Sequence, residues 1–395
     1  MKGRSMSSPT TSGKSVDNNV LRVDLPTTEF DLDRTPRFNP ANNAATGFRR
    51  YAGQTENDRL KVLRKEHIQG WAAAARPGFS LVDRALASAA QTLSQASSTN
   101  QGIISWNQVA GQSLVKPLSL GVEQFSASPE EAAMIVKSAA RFFGASLVGV
   151  TSLREQWVLT HCNKKAVVIE DCDTPGETDE TYVIPARCRW VISCAVEISR
   201  TGLERAPSAI GEAASLQAAS RATLLIASLS QFIRSLGYVA IPDRADVLLQ
   251  VPFAVCAGLG ELGRLTKLIT PEFGPAVRLN SVITDLPMAW DKPINCGLQD
   301  FCRSCRICAE ACPAKAISFD EEPSWEPKGP WNNPGKRVWF NDATKCHAYR
   351  QTISTNCAVC FAACPWPRQV ESPGKVPYGV TAERQREWWK TLLSP

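Results

Sequence analysis

Eight cysteines in the last third of the chain have the types and spacing to do chemistry. Cys302, Cys305, Cys308 and Cys312 follow C-x2-C-x2-C-x3-C-P, and Cys346 is followed after ten residues by C-x2-C-x3-C-P at Cys357, Cys360 and Cys364. Four thiolates per cubane is the ligand count of a [4Fe–4S] cluster, and two such halves provide for two. Structural zinc, the competing use of such thiolates, favours paired C-x2-C knuckles and fits this spacing less well. The pattern says electron transfer and leaves its destination open.

When two clusters share one module, the last cysteine of each run crosses to the other cluster. That rule assigns Cys302, Cys305, Cys308 and Cys364 to cluster 1, and Cys312, Cys346, Cys357 and Cys360 to cluster 2. The remaining cysteines (Cys162, Cys172, Cys188, Cys194, Cys256 and Cys296) are scattered singly and read as packed or free thiols of a reducing compartment.

The elements that must position these ligands follow from patterning. Residues 1–20 are rich in Ser, Thr, Gly and Asn and are expected to be disordered. Residues 21–127 form an N-terminal wrapping and helical segment: an extended Pro- and aromatic-containing stretch to residue 58, then a helical pattern to about Ala96 broken at Arg76-Pro77-Gly78. Residues 128–297 read as a mixed α/β core. It opens with a capping box at Ser128-Pro129-Glu130-Glu131 ahead of an apolar helical repeat. SLVGVTSL, KAVVIED, RWVISCAVEI, YVAIP and VRLNSVITDLP are strand candidates there. A long Ala- and Leu-rich helix runs from about Pro207 to Gly237, and a second spans VLLQVPFAVCAG. Residues 298–370 are the two-cluster, bacterial ferredoxin-like module, and residues 371–395 a tail helix, AERQREWWKTLL.

Composition narrows the function. With 44 basic against 38 acidic residues the net charge is +6, spread along the chain without basic runs interleaved with aromatics, so nucleic acid is not an expected partner. Neither a G-x-G-x-x-G after a strand nor a P-loop is present, so nicotinamide and nucleotide binding are unsupported. No apolar run approaches membrane-spanning length, and MKGRSMSSPTTSGKS lacks the apolar stretch of a signal sequence. The expectation is a cytoplasmic protein, with an exported mature form on the outer face of the cytoplasmic membrane as the alternative. His67, in KEHIQG, has Lys65 where a cobalamin-binding D-x-H-x-x-G motif needs aspartate, and reads as a surface residue.

The stretch FIRSLGYVAIP, GLGELGRLTKLITPEFGPAVRL, DLPMAWDKPINCG and the cysteine runs after it resemble the corrinoid iron–sulfur reductive dehalogenases. The specific match covers about Pro207 to Pro367 and continues more weakly back to Trp106. The resemblance implies an α+β, nitroreductase-like core holding a base-off, cobalamin-type corrinoid without a histidine lower ligand. Two clusters then pass electrons to cobalt for cleavage of a carbon–halogen bond. It implies a small organohalide substrate and an external electron donor (ferredoxin, flavodoxin or membrane-linked), and it is compatible with a homodimer.

Carried over residue by residue, the resemblance places the active-site arginine at Arg278 and a pocket-wall tryptophan at Trp106. The proton-donating tyrosine, the pocket asparagine and a pocket tryptophan fall on Ala219, Ala245 and Arg350. That leaves Tyr238, Arg278, Arg350 or water to supply the proton, and Tyr238 joins Arg278 as a catalytic candidate. Gly258, Leu259, Gly260, Glu261, Pro271 and Gly274 are the corrinoid-contact candidates. The polar groups lost at Ala219 and Ala245 keep two alternatives open. One is a corrinoid iron–sulfur reductase of a non-halogenated substrate, as in epoxyqueuosine reductases; the other is a non-catalytic electron-transfer or corrinoid-binding protein.

Overall fold

The structure is a computed structural model of the chain, and it describes residues 20–96, 102–107 and 115–366. The terminal segments expected to be disordered (before residue 20) and helical (371–395) lie outside the described residues.

Helices α1 (Gln54–Ala73) and α2 (Leu81–Ala90) form the N-terminal layer, separated at Arg76-Pro77-Gly78 as the sequence suggests. The Ser80 side chain caps α2 and Asp83 returns the bond, a complete capping box. Helix α3 (Pro129–Phe142) opens with Ser128 accepting from the Glu131 N–H. The core strands follow: β1 (Leu147–Ser152), β2 (Lys165–Glu170), β3 (Thr181–Pro185) and β4 (Trp190–Glu197). Helix α4 (Ala209–Ser235), capped by Ser208, precedes β5 (Ala240–Asp243), α5 (Gln250–Cys256) and β6 (Val277–Thr284). Only the second half of VLLQVPFAVCAG is helical, because Asp246 and Val247 donate their N–H groups to Asp243 in a turn.

The central sheet runs β1-β4-β6-β5, with every pair antiparallel. Strand alternation sends Cys194, Val196 and Val282 to one face, against α3 and α4, where Val136, Leu225 and Ile226 complete the largest core. The opposite face packs on α5 and on a second sheet, in which β2 and β3 pair in parallel.

An N-terminal strap crosses this body. Leu21–Arg22 pairs with Ile294–Asn295, the Val23 N–H donates to the Pro293 carbonyl (2.9 Å), and the Asp31 N–H donates to the Gly335 carbonyl (2.9 Å). Arg37 donates to the carbonyls of Val158, Leu159 and Val167. The strap therefore ties the core to the module that carries the cysteines: α6 (Leu298–Ser304), α7 (Ile307–Ala311), α8 (Ala343–Ile353) and α9 (Val359–Ala363).

Candidate cluster and cofactor site

The cysteine module has approximate internal symmetry. In each half the second cysteine precedes a short helix whose first N–H bonds its thiolate: Ile307 to Cys305 and Val359 to Cys357. Such bonds favour the ionised ligand. Electrostatic contact joins Cys302, Cys305, Cys308 and Cys364, and likewise Cys312, Cys346, Cys357 and Cys360, with Cys308 also facing Cys360 across the two sets. Among the described residues no three His, Cys, Asp or Glu side chains close on a single ion. Burial pushes the Cys302 and Cys357 thiols up to about 11 and Cys364 to about 12, so the thiolates need the positive iron to form.

Arg278 and Cys346 are exposed and Lys336 and Cys360 half-buried, each with dense protein around its base. Burial and the neighbouring Lys267 push the Lys336 ammonium down to about 8, and Lys267 also faces Cys346. Arg278 lies at the start of β6. Burial lowers its pKa, Arg244 lowers it further, and Asp246 opposes both. No hydrogen bond or ion pair engages its guanidinium among the described residues. Two residues on, and on the same strand face, Asn280 is buried with its Oδ1 lacking a partner.

Two of the predicted pocket positions, Ala219 and Ala245, connect to this region. Arg244 pairs with Asp246 (3.2 Å) and donates to the Ser94 carbonyl, while the Ser94 N–H donates to Ser220 Oγ (3.3 Å), beside Ala219 on α4. Ala245 sits between Arg244 and Asp246, exposed, with a φ of 83°. At the other end of this helical stretch Glu212 meets Arg84 and Arg350, and Arg350 in turn faces Cys346 and Cys357 of cluster 2. Eight helical residues from Glu212 to Ser220 span about 12 Å, so α4 links the Arg278 region to cluster 2 over that distance. Trp106 is fully buried against Tyr182 (ring centroids 5.2 Å apart) in the cluster that also holds Val247 and Leu248.

Other candidates lie elsewhere. Tyr238 flanks the far end of β6, where its hydroxyl donates to the Phe125 carbonyl (2.7 Å) and Asp285 accepts from Val239 N–H (2.7 Å). Six strand residues from Arg278 to Thr284 already span about 20 Å, so the two catalytic candidates do not meet. Glu261 is fully buried and its carboxylate is taken up by donors of the chain itself. It accepts from Thr27 Oγ1 (2.6 Å), Cys296 N–H (2.7 Å) and Cys296 Sγ (2.8 Å). A Cβ at Gly258 (φ +72°) would collide with Arg22 and the Lys292 carbonyl, and one at Gly260 with the Ile269 carbonyl. These glycines admit neighbouring backbone rather than a ligand. Leu259 is core, and Pro271 and Gly274 build a tight turn closed by Thr270 and Gly274. GLGELGR thus acts as a junction between strap, hairpin and cysteine module. A pocket of about 430 Å³ between the strap and residues 327–334 includes none of the site residues.

Sequence reasoning passed over Arg244, Lys267 and Lys336, whose positions depend on contacts distant in sequence. It also quoted Arg264 only as part of a motif.

Comparison with known proteins agrees with the geometry. A family model described as a 4Fe-4S double cluster binding domain matches residues 301–367. Tetrachloroethene reductive dehalogenase of Sulfurospirillum multivorans is 38% identical over 256 residues, 61% of this chain and 51% of that protein. The enzyme of the same name from Dehalobacter restrictus is 32% identical over 295 residues, 67% of this chain and 53% of that protein. A solved catabolic reductive dehalogenase, NpRdhA, superposes with a TM-score of 0.62 at 24% identity, covering 94% of this chain and 46% of that one. The chain spans about half the length of the curated relatives it matches. The resemblance expected from the motifs is borne out: this chain is related by sequence to the reductive dehalogenases and shares their fold, including a double-cluster module.

Proposed function

We propose that the chain is a corrinoid-dependent reductive dehalogenase. Residues 298–370 would be its two-cluster module and residues 128–297 a nitroreductase-like corrinoid-binding core. The observation that carries this reading is Arg278: an exposed guanidinium with no hydrogen bond or ion pair among the described residues, one helix stretch away from cluster 2. The residues present fit a corrinoid. The orphaned Asn280 Oδ1 can accept from a peripheral amide, and Lys336 and Lys267 offer cations without carboxylate partners among the described residues.

When bound, the corrinoid supplies a low-potential cobalt able to break a carbon–halogen bond. The net change consumes the organohalide, two electrons and one proton and yields the hydrocarbon and halide. Arg278 stabilises the anionic charge that develops as halide leaves, in a site where burial strengthens the interaction. Alanine at positions 219 and 245 offers no proton, and Tyr238 is committed to Phe125, so Arg278 or a water it orients supplies the proton. An external reductant feeds the clusters. Cytoplasmic placement is part of the same proposal; among the described residues no helix is long and apolar enough to cross a membrane.

Anaerobic purification with a corrinoid present should give cobalt together with iron and sulfide, and reduced viologen should drive halide release from chlorinated or brominated compounds. Arg278→Gln should retain cobalt and lose about 10²–10³ in halide release, the usual effect of removing one charge-stabilising donor. Failure to bind cobalt after reconstitution would overturn the proposal. Cobalt binding without halide release from any organohalide would favour a reductase of another substrate.

A further inference from the structure

Arg264 is the last residue of GLGELGR and is completely buried. It has no carboxylate partner among the described residues. Its guanidinium instead donates to five backbone carbonyls: Cys302 (2.6 and 3.1 Å), Arg303 (3.2 Å), Cys305 (3.0 Å), Ser318 (3.0 Å) and Asp320 (2.5 Å). One face of it stacks over the Trp339 ring, 4.8 Å from the centroid, and the Trp339 Nε1–H donates to the same Asp320 carbonyl (3.1 Å).

Three of those carbonyls close the end of α6. The last carbonyls of a helix have no partner within it and carry partial negative charge, so a buried cation there satisfies both needs. The Cys302–Cys305 loop is thereby held from outside. Because a trans peptide points its N–H opposite to its C=O, fixing the Cys305 carbonyl on Arg264 turns the Arg306 N–H to the other side, away from Arg264. A full charge held beside the cluster 1 loop also favours the more negative, reduced cluster.

We propose that Arg264 is the positioning residue of cluster 1, fixing the loop that carries Cys302 and Cys305 and raising that cluster's reduction potential selectively. The assignment rests on the two-cubane reading. Among the described residues no arginine gathers the carbonyls of the cluster 2 loops in this way; Arg350, which faces Cys346 and Cys357, bonds the Asn356 side chain.

The test compares Arg264→Gln and Arg264→Lys with the parental chain after anaerobic reconstitution, with Cys305→Ser to identify the cluster 1 signal. Parental protein carrying fewer than about eight irons would count against the two-cubane reading itself, before any variant is compared. In Arg264→Gln the cluster 1 potential in an electron paramagnetic resonance titration should fall while cluster 2 stays fixed, or about four of the eight irons should be missing. Arg264→Lys keeps the charge and so the potential, but an ammonium cannot reach five carbonyls, and cluster 1 should release iron to a chelator faster than cluster 2. Full iron with both potentials unchanged in Arg264→Gln would overturn the assignment, as would equal effects on both clusters. If Arg264→Gln gives no soluble protein, a parental chelation trace from Arg264→Lys overturns it.

Discussion

Replacing Glu261 by alanine separates a junction carboxylate from a cofactor contact. In the folded chain its oxygens are closed to water and accept from Thr27 Oγ1, from the Cys296 N–H and Sγ, and at 3.4 Å from the Leu298 N–H. Deleting the carboxylate leaves the Cys296 N–H and the Thr27 hydroxyl without an acceptor, at about 1–3 kcal/mol each. Relief of the desolvation cost of a buried anion offsets part of that. A net loss of about 3 kcal/mol is expected, or a fall of about 3–6 °C in melting temperature for a chain of this size. Glu261→Gln keeps one acceptor and should lose about half as much. Anaerobic thermal unfolding by circular dichroism reads the stability, and an absorbance titration reads corrinoid affinity. Unchanged melting with weakened corrinoid binding would refute the reasoning, since the carboxylate would then face the cofactor.

Two further outcomes follow from the loop after β5. Alanine with a φ of 83° costs about 1–2 kcal/mol, so Ala245→Gly should stabilise by about 0.5–1 kcal/mol after the flexibility it adds to the unfolded chain. A urea midpoint that stays or falls would contradict this. Burial, reinforced by Asp246, lifts Asp243 to about 7 against the pull of three backbone N–H groups. A carboxyl raised above its unfolded value of about 4 contributes stability below that pH and loses it as pH climbs through about 7. The urea midpoint should therefore drop between pH 5 and pH 8, and Asp243→Asn should flatten the slope. An equal slope in the variant would remove Asp243 as its source.

The double-cluster module was legible because its signature is local: cysteine spacings of two and three residues within residues 301–367. The extended strap and the long α4 were legible from composition and period for the same reason. Residues acting across the fold were not. Arg264 reads as one more basic residue until the chain brings carbonyls 38 to 56 positions away around it. Tyr238 and Arg278 look like neighbours in motif space, and only the antiparallel register of β5 on β6 places them at opposite ends of a strand. The glycines of GLGELGR suggested a ligand cradle, but what they admit is the strap and the hairpin. By contrast, the departures at Ala219 and Ala245 were visible in sequence, and the fold gives Ala245 a backbone shape that asparagine would tolerate better.

The strap imposes an order on assembly. Leu21 is made long before Asn295, its partner, and joining them closes a loop of more than 270 residues. That closure costs about 5 kcal/mol of chain entropy, recovered only after the cysteine module has a shape to grip. Residues 21–23 therefore gain their partners only after residues 293–295 are made, whereas Arg37 can already bond the core carbonyls of Val158, Leu159 and Val167. Once Thr27 reaches Glu261 and Glu29 meets Arg337, the strap clasps residues made more than 230 positions later. Pairing of Leu21 and Arg22 with Ile294 and Asn295 is thus a late step, which makes assembly of this chain directional.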